Sequence, residues 1–431
     1  MDDKKTIISW ALYDWANSAF ATTVMAGFFP VFFKQFWNSG AEGNVSTIRL
    51  GLGNSTAGII VAVLAPILGA IADRGTAKKR FLMFFALMGV IMTVALSMIQ
   101  QGHWLLALGV YVVATIGFSG GNIFYDALIT GVASSKKLDM VSAFGYALGY
   151  LGGSLLFTVN VWMVQQPQVF GLADKTAAIR WSFLTVGLWW AVFSIPVFLF
   201  VKEPANPKGV TGRAMIRAGF DQLGGTFREI RNTRVVFLFL IAYWFYIDGV
   251  DTIIRMAVDY GINIGLPESG LIKALLITNF VGFPAALAFG WIGKTLGARQ
   301  GIFITIGIYM GVTLWATFMR STWEFYMLAV TIGLVQGGIQ ALSRSYYARL
   351  IPVDKSAEFF GFYNMLGKFA VVIGPMLISA VVFIANHMGA TPDMASRLSI
   401  GSVSILFAIG AVLLYFVRPE SMPMSSEDEP C

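Results

Sequence analysis

Three things are scarce in this 431-residue chain. There is one cysteine, Cys431, so no disulfide can form within the chain. There are two histidines, His103 and His387, each near the end of an apolar stretch, which gives no cluster for a metal and no histidine relay for protons. Charged residues make up 12% of the chain, against about 25% in soluble domains. A Gly-rich phosphate loop closing in Gly-Lys-Ser or Gly-Lys-Thr is also missing, so no ATP-driven engine is visible. The expectation is a protein that is not an enzyme and carries no cofactor and no metal.

What is abundant is apolar sequence. Hydrophobic residues form 57% of the chain, gathered in twelve stretches near 8–33, 52–72, 81–100, 104–129, 141–164, 180–201, 235–258, 269–292, 300–318, 323–348, 358–385 and 398–417. Roughly 20 helical residues cross the hydrocarbon core of a bilayer, and backbone inside lipid must satisfy its own hydrogen bonds. The expected fold class is therefore an all-α membrane protein with twelve transmembrane helices. The 46 glycines suit close helix packing, as in Gly145, Gly149 and Gly153 at every fourth position. The first stretch begins after only Lys4 and Lys5 and is too long for the core of a cleavable signal peptide. Cys431 ends an acidic tail whose context does not fit a prenylation box.

The net charge of +7 orients the chain rather than recruiting nucleic acid. Most lysines and arginines fall in connections on the same side as the N-terminus. Lys34, Arg49, Lys175, Arg180, Arg320 and Arg397 fall on the other. By the positive-inside rule both termini are expected in the cytoplasm, in a multi-pass protein of a bacterial inner membrane.

One long charged interruption, 202–234, divides the stretches six and six. The expected organisation is a six-helix bundle over 1–201, a cytoplasmic linker over 202–234, a second bundle over 235–418, and an acidic tail over 419–431. Within the linker, Ala214 to Ile230 fits an amphipathic helix on the inner leaflet (Met215, Ile216, Phe220, Leu223 and Phe227) as well as it fits a solvated linker. The halves also echo each other. Gly120-Gly121 in span 4 matches Gly337-Gly338 in span 10, Phe144-Gly145-Tyr146 in span 5 matches Phe360-Gly361-Phe362 in span 11, and Gly69 ending span 2 matches Gly290 ending span 8. Three matches in order, at nearly one separation, indicate a duplicated six-helix unit, a frequent plan in secondary transporters.

The loop after span 2 reads Gly69-Ala-Ile-Ala-Asp73-Arg74-Gly75-Thr-Ala-Lys78-Lys79-Arg80. It resembles the signature of the major facilitator superfamily between helices 2 and 3, although the second glycine follows Arg74 directly and the basic pair is displaced. Gly290-Trp-Ile-Gly-Lys294-Thr-Leu-Gly297-Ala-Arg299 looks like its degenerate copy in the second half. A narrower resemblance lies in Trp10-Ala-Leu-Tyr13-Asp14-Trp15-Ala-Asn17-Ser18-Ala-Phe20, in Tyr246-x-Asp248-Gly249-Val250, and in Gln340-Ala-Leu-Ser343-Arg344-Ser345 running to Leu350-Ile351-Pro352. These are similar to the span-1, span-7 and span-10 signatures of the vacuole-effluxer-like family, which includes a fungal autophagy-associated vacuolar amino-acid exporter. The resemblance implies two pseudo-symmetric six-helix bundles and solute efflux, with amino acids the best-supported class.

Polar residues inside the spans mark candidate sites, since a charge at mid-membrane costs about 2.5–3.5 kcal/mol by insertion scales. In span 7, Asp248, Asp251, Thr252, Arg255 and Asp259 share one helical stripe, and Asp251 and Arg255 form an i, i+4 pair with the acid first. Such a stripe lines a water-filled path or closes on itself as an ion pair at the helix end. In span 1, Asp14, Asn17, Ser18 and Thr22 form a matching face. Asp14 equally suits an acid at the start of a helix, where the dipole favours it. Lys368 can bind a substrate carboxylate, pair with Asp14, or snorkel to the surface. Gln336, Gln340 and Asn364 can hydrogen-bond a polar solute or neighbouring helices. Asp126 and Arg344 are almost repeat partners, either interfacial or gating. The superfamily resemblance implies that Asp73, Arg74 and the basic residues after them join an acid such as Asp126 in a network bracing the inner gate.

The expectation is a monomeric secondary transporter in the lipid bilayer that exports a small polar solute, foremost a neutral amino acid, coupled to protons by alternating access. Asp14, Asn17, Ser18, Asp248, Asp251, Arg255, Gln340 and Lys368 are the candidates for solute and proton binding. Asp73, Arg74, Asp126 and Arg344 are those for gating. A transporter of amphipathic or lipid-like compounds, and a membrane receptor or scaffold that does not transport, remain open alternatives.

Overall fold

A computed structural model describes residues 1–40, 43–203, 225, 228–263, 268–369 and 373–417. Twelve helices in it are long and apolar enough to cross a membrane: Lys4–Trp37, Arg49–Arg74, Lys78–Leu96, Trp104–Val132, Leu138–Gln165, Lys175–Phe200, Arg234–Ile254, Leu276–Leu296, Ala298–Phe318, Thr322–Leu350, Val353–His387 and Asp393–Phe416. They are spans 1 to 12 below. The outer faces are apolar, as lipid demands. In span 6, Leu188, Val192, Ile195 and Leu199 follow one another at helical spacing and are 55%, 56%, 51% and 66% exposed. Most of the proposed amphipathic segment of the linker, and the acidic tail, lie outside the described residues.

Two spans, 1 and 12, depart from straight helices among the described residues. Span 1 is longer than its apolar stretch and widens into π-helix over Phe20–Phe28 and Phe33–Trp37, on either side of a short α-helical turn holding Pro30. Proline lacks the N–H that a regular ladder needs there. Span 11 is helical over Ser356–Phe369 and Ile373–His387, the parts of it that are described. Span 12 consists of Pro392–Ser402 and Ser404–Phe416.

Glycines set how closely the helices approach. A Cβ on Gly145 would meet Asp14 and Trp10 at 2.8 and 2.9 Å, and one on Gly149 would meet the Ser18 hydroxyl at 2.7 Å. Span 5 is thereby seated on the polar face of span 1. Two further crossings join the halves. Gly361 in span 11 lies against the backbone of Ala65 and Pro66 in span 2, and Gly69 lies against Ala357. In the repeat-related crossing, Gly290 in span 8 lies against Ala143 in span 5. Both crossings sit at the end of the molecule that carries the first and last spans' free ends, called the terminal end here.

Candidate functional site

A cavity of about 1640 Å³ lies between the two halves. It reaches Gln35, Phe36, Gln101 and Lys175 at the far end, and its floor is formed by Asp14, Asp126 and Arg344. It is open away from the termini and closed toward them.

Arg344 organises the floor. Its side chain is 1% exposed, the usual circumstance in which an arginine needs several acceptors at once. Its Nη1 lies 3.1 Å from Asp126 Oδ1 and 3.4 Å from Asp14 Oδ2. Its Nε donates to the Ser142 hydroxyl at 2.9 Å and its Nη2 to the Ser142 carbonyl at 2.8 Å. The guanidinium carbon stands 4.2 Å from the centre of the Tyr146 ring and 4.9 Å from that of Trp10, within cation–π range. Asp14 also accepts from the Tyr125 hydroxyl at 2.7 Å, and Asp126 from the Asn364 amide at 3.3 Å. Spans 1, 4 and 5 of the first half are thus tied to spans 10 and 11 of the second by one buried polar cluster.

Above this floor the walls combine apolar side chains with a set of polar ones. Asn17 donates to Asn122 at 2.7 Å, and Tyr150 donates to Gln340 at 2.9 Å. Ser18, Gln336, Asp251 and Lys368 also line the cavity. Of the sequence candidates, Asp14, Asn17, Ser18, Asp126, Asp251, Gln340, Arg344 and Lys368 therefore converge on one space.

Asp248 does not join them. It is fully buried, and both of its oxygens accept from the N–H of Gly374 at 3.1 Å, with Thr252 donating at 3.3 Å. Its partners therefore lie in spans 7 and 11 of its own half, away from the cavity. Arg255 and Asp259 belong to the helix Arg234–Asn263, but their side chains lie outside the described residues.

Of the network expected around Asp73, its basic loop and Asp126, the pairs found are these. Asp73 pairs with Lys78 at 2.9 Å and accepts from the N–H groups of Ala357 and Glu358 at the start of span 11, while the charge partner of Asp126 is Arg344. Asp73 ends span 2 next to the N-terminus of the helix Ser356–Phe369, whose first amides and the cation of Lys78 both favour a carboxylate. Arg74 neighbours Asp73 in the last turn of span 2. A second lock was not foreseen. Asp139 at the start of span 5 binds Arg349 of span 10 through both oxygens at 2.8 and 2.7 Å and accepts from Ser345 at 2.6 Å. An acid in a first helical turn next to Lys136 and Lys137 looks interfacial in sequence, and nothing there signals Arg349. Ser142, Tyr125 and Asn122 were also missed, because serine, tyrosine and asparagine are common in packed spans. Their proximity to Asp126 and to the Gly145 ladder was the available signal.

A model of the family described as "Vacuole effluxer Atg22 like" matches residues 48–138 and 132–422. The chain belongs to that family. It is 40% identical over 423 residues to the uncharacterized MFS-type transporter YxiO of Bacillus subtilis, covering 98% of this chain and 96% of that one. It is 24% identical over 408 residues to autophagy-related protein 22 of Yarrowia lipolytica, covering 75% and 68%. Among solved structures, the human organic anion transporter MFSD10 superposes with a TM-score of 0.71 at 14% identity, covering 96% of this chain and 100% of that one. The proton:xylose symporter XylE does so with 0.71 at 11% identity, covering 96% and 94%. At such identities these two establish the fold, the major facilitator fold of two pseudo-symmetric six-helix bundles. This member of the Atg22-like family is a multi-pass transporter of the major facilitator type, not an enzyme.

Proposed function

We propose that the chain exports a small polar solute, foremost a neutral amino acid, by proton-coupled alternating access. The observation that carries this reading is the buried Asp14–Arg344–Asp126 cluster at the floor of the cavity between the halves. Two acids share one arginine there, and the contacts cross from one half to the other. Rocking the halves apart at the terminal end must pull Arg344 away from Asp14 and Asp126. A carboxylate that loses a cationic partner changes its affinity for protons. Proton uptake is thereby linked to the change of state.

Asn17, Ser18, Gln336 and Gln340 offer neutral donors and acceptors to a solute, and Lys368 and Asp14 offer opposite charges suited to a carboxylate and an ammonium group. The resemblance of span 1 to the exporter signature supports the amino-acid class. With both termini in the cytoplasm of a bacterium, the closed end is the inner gate and the cavity faces outward. The unit is a monomer, since one chain contains the whole cavity.

Counterflow of pooled radiolabelled amino acids into liposomes, with and without a pH gradient, tests the reading. Exchange that responds to the gradient in the native chain and loses that response in Asp14→Asn is expected. Exchange with an unaltered gradient response in Asp14→Asn removes the proton role of the cluster. No exchange of any amino acid by folded protein removes the substrate class.

A further inference from the structure

The two halves treat the same loop differently. In the first half, Asp73 ends span 2 and the chain turns through Thr76, at φ +49°, into span 3. The repeat places Gly297, at φ +94°, at the same turn into span 9, with Lys294 where Asp73 stands and Arg299 where Lys78 stands. The first half supplies its own anions: Asp73 pairs with Lys78, and the carboxylate of Glu203 accepts from the N–H groups of Lys78 and Lys79 at 2.8 and 3.2 Å. In the second half the acid of the loop has become a lysine, and no side chain caps the first turn of span 9 among the described residues.

At that spot a groove of about 640 Å³ lies between the halves, lined by Lys136, Lys294, Arg299, Arg349, Gln300 and Tyr346. Two of the cations are engaged: Arg349 with Asp139, the acid of the groove, and Arg299 with the carbonyls of Leu414 and Tyr415. Lys136 and Lys294 are exposed. A second feature points to a ligand. Tyr346 is 7% exposed, forms part of the wall within electrostatic reach of Arg299 and Arg349, and its buried hydroxyl has no hydrogen-bond partner among the described residues. A buried donor left unsatisfied is costly, and a bound acceptor removes the cost.

We propose that this groove binds a phosphate-bearing anion, which takes the place of the acid that the second half lacks. The first amides of span 9, Lys136, Lys294 and the Tyr346 hydroxyl are its donors, a combination suited to a tetrahedral oxyanion at a helix N-terminus. The anion bridges span 5 of one half and spans 8 to 10 of the other, so it holds the terminal end closed. Its source is a phospholipid headgroup at that face of the bilayer or free phosphate, and the two are separable.

The test uses the full chain in detergent. Native mass spectrometry reads retention of phosphatidylglycerol against phosphatidylcholine, and thermal unfolding reads the effect of inorganic phosphate against chloride at equal ionic strength. Expected is preferential retention of phosphatidylglycerol, reduced about fivefold by each of Lys136→Gln and Lys294→Gln, and reduced also by Tyr346→Phe, which only removes an unpartnered hydroxyl. Lys294→Asp, which restores the first half's residue, is expected to abolish retention and leave the chain folded. A phosphate-dependent stabilisation lost in the same variants, without lipid retention, supports the site and makes free phosphate the source. Equal retention of both lipids with no phosphate effect, or retention unmoved by Lys294→Gln and Tyr346→Phe, overturns the proposal.

Discussion

Asp14 and Asp248 stand on spans 1 and 7, which correspond in the two halves, and both are buried aspartates among aromatic neighbours. Their partners differ in one decisive respect. Asp14 is held by Arg344 from the opposite half as well as by Tyr125 from its own. Asp248 is held only within its own half by the bonds described for it, from Gly374 and Thr252. In a machine whose halves rock against each other, bonds within a half persist through the cycle and bonds between halves must be remade. On the proposed mechanism the Asp14 contacts are remade in each cycle and those of Asp248 are not, so acids on corresponding helices of the two halves are placed for different work.

The largest break in that comparison comes from removing Arg344. Arg344→Met leaves Asp14 and Asp126 buried without their cation, a loss of about 3–5 kcal/mol by analogy with other broken buried pairs. Thermal unfolding of the purified chain measures it. Adding Asp14→Asn and Asp126→Asn to the same chain is expected to restore most of the stability and none of the transport. A single variant as stable as the native chain contradicts the role of Arg344 as the shared cation.

Glycine substitutions sharpen the same distinction between and within halves. Gly361→Val intrudes on Ala65 and Pro66 across the halves, whereas Gly117→Val intrudes on Gly89 within one bundle, where a Cβ would stand 2.6 Å from the backbone nitrogen. Overpacking costs about 1–3 kcal/mol where the structure cannot yield. The halves can separate, so Gly361→Val is expected to open the terminal end, and Gly117→Val only to lower the unfolding temperature. Thiol labelling of Ala348→Cys, a position 6% exposed at the terminal end, in a chain with Cys431→Ser reads the difference. Equal labelling in both variants rejects it.

Neutralising the two aspartates makes the most direct contrast. In Asp248→Asn the side chain still accepts from Gly374, so the cost is about 1 kcal/mol, that of weakening one buried hydrogen bond, and gradient-driven transport persists. In Asp14→Asn the gradient response is lost, with stability changed little because one acid remains for Arg344. Liposome flux and unfolding temperature, measured on both, decide it. A flux lost equally in the two variants assigns Asp248 a transport role that its partners do not suggest.

These contrasts show where sequence was enough. Twelve apolar stretches were legible because the bilayer imposes a length and a composition on each helix. The floor of the cavity was legible for charged residues, since Asp14, Asp126 and Arg344 are too costly in lipid to be idle. Partner choice was not legible. Asp248 and Asp251 share a helical stripe in sequence, but Asp251 lines the cavity while Asp248 accepts from the N–H of Gly374 in span 11, and nothing within the stripe itself tells the two apart. Asp139 and Arg349 meet across the halves, a pairing that follows from tertiary packing alone.

The smallest expected effect tests whether the rule reaches the periphery. The backbone N–H of Asp2 donates to the Val132 carbonyl, and its carboxylate accepts from the backbone N–H of Ser134 at 2.9 Å and the Ser134 hydroxyl at 2.8 Å. Lys137 stands 3.6 Å away, and all of these belong to the first half. The hydrogen bonds from Ser134, and then the charge of Lys137, hold the Asp2 carboxyl below its ordinary value of 3.8. A group depressed in the folded state contributes fully above its unfolded value and loses that contribution as pH falls through the folded one. The tie is therefore intact at neutral pH and fades only below 3.8. Asp2→Ala is expected to speed hydrogen exchange of the first turns of span 1 at neutral pH, after correction for intrinsic rates, and to leave flux and global unfolding unchanged. Because the tie lies within one half, the faster exchange should be the same with the terminal end held closed or opened by Gly361→Val. Exchange that depends on the state would mean that the N-terminal tie moves with the gate, and the division between static and remade bonds would not extend to this edge of the bundle.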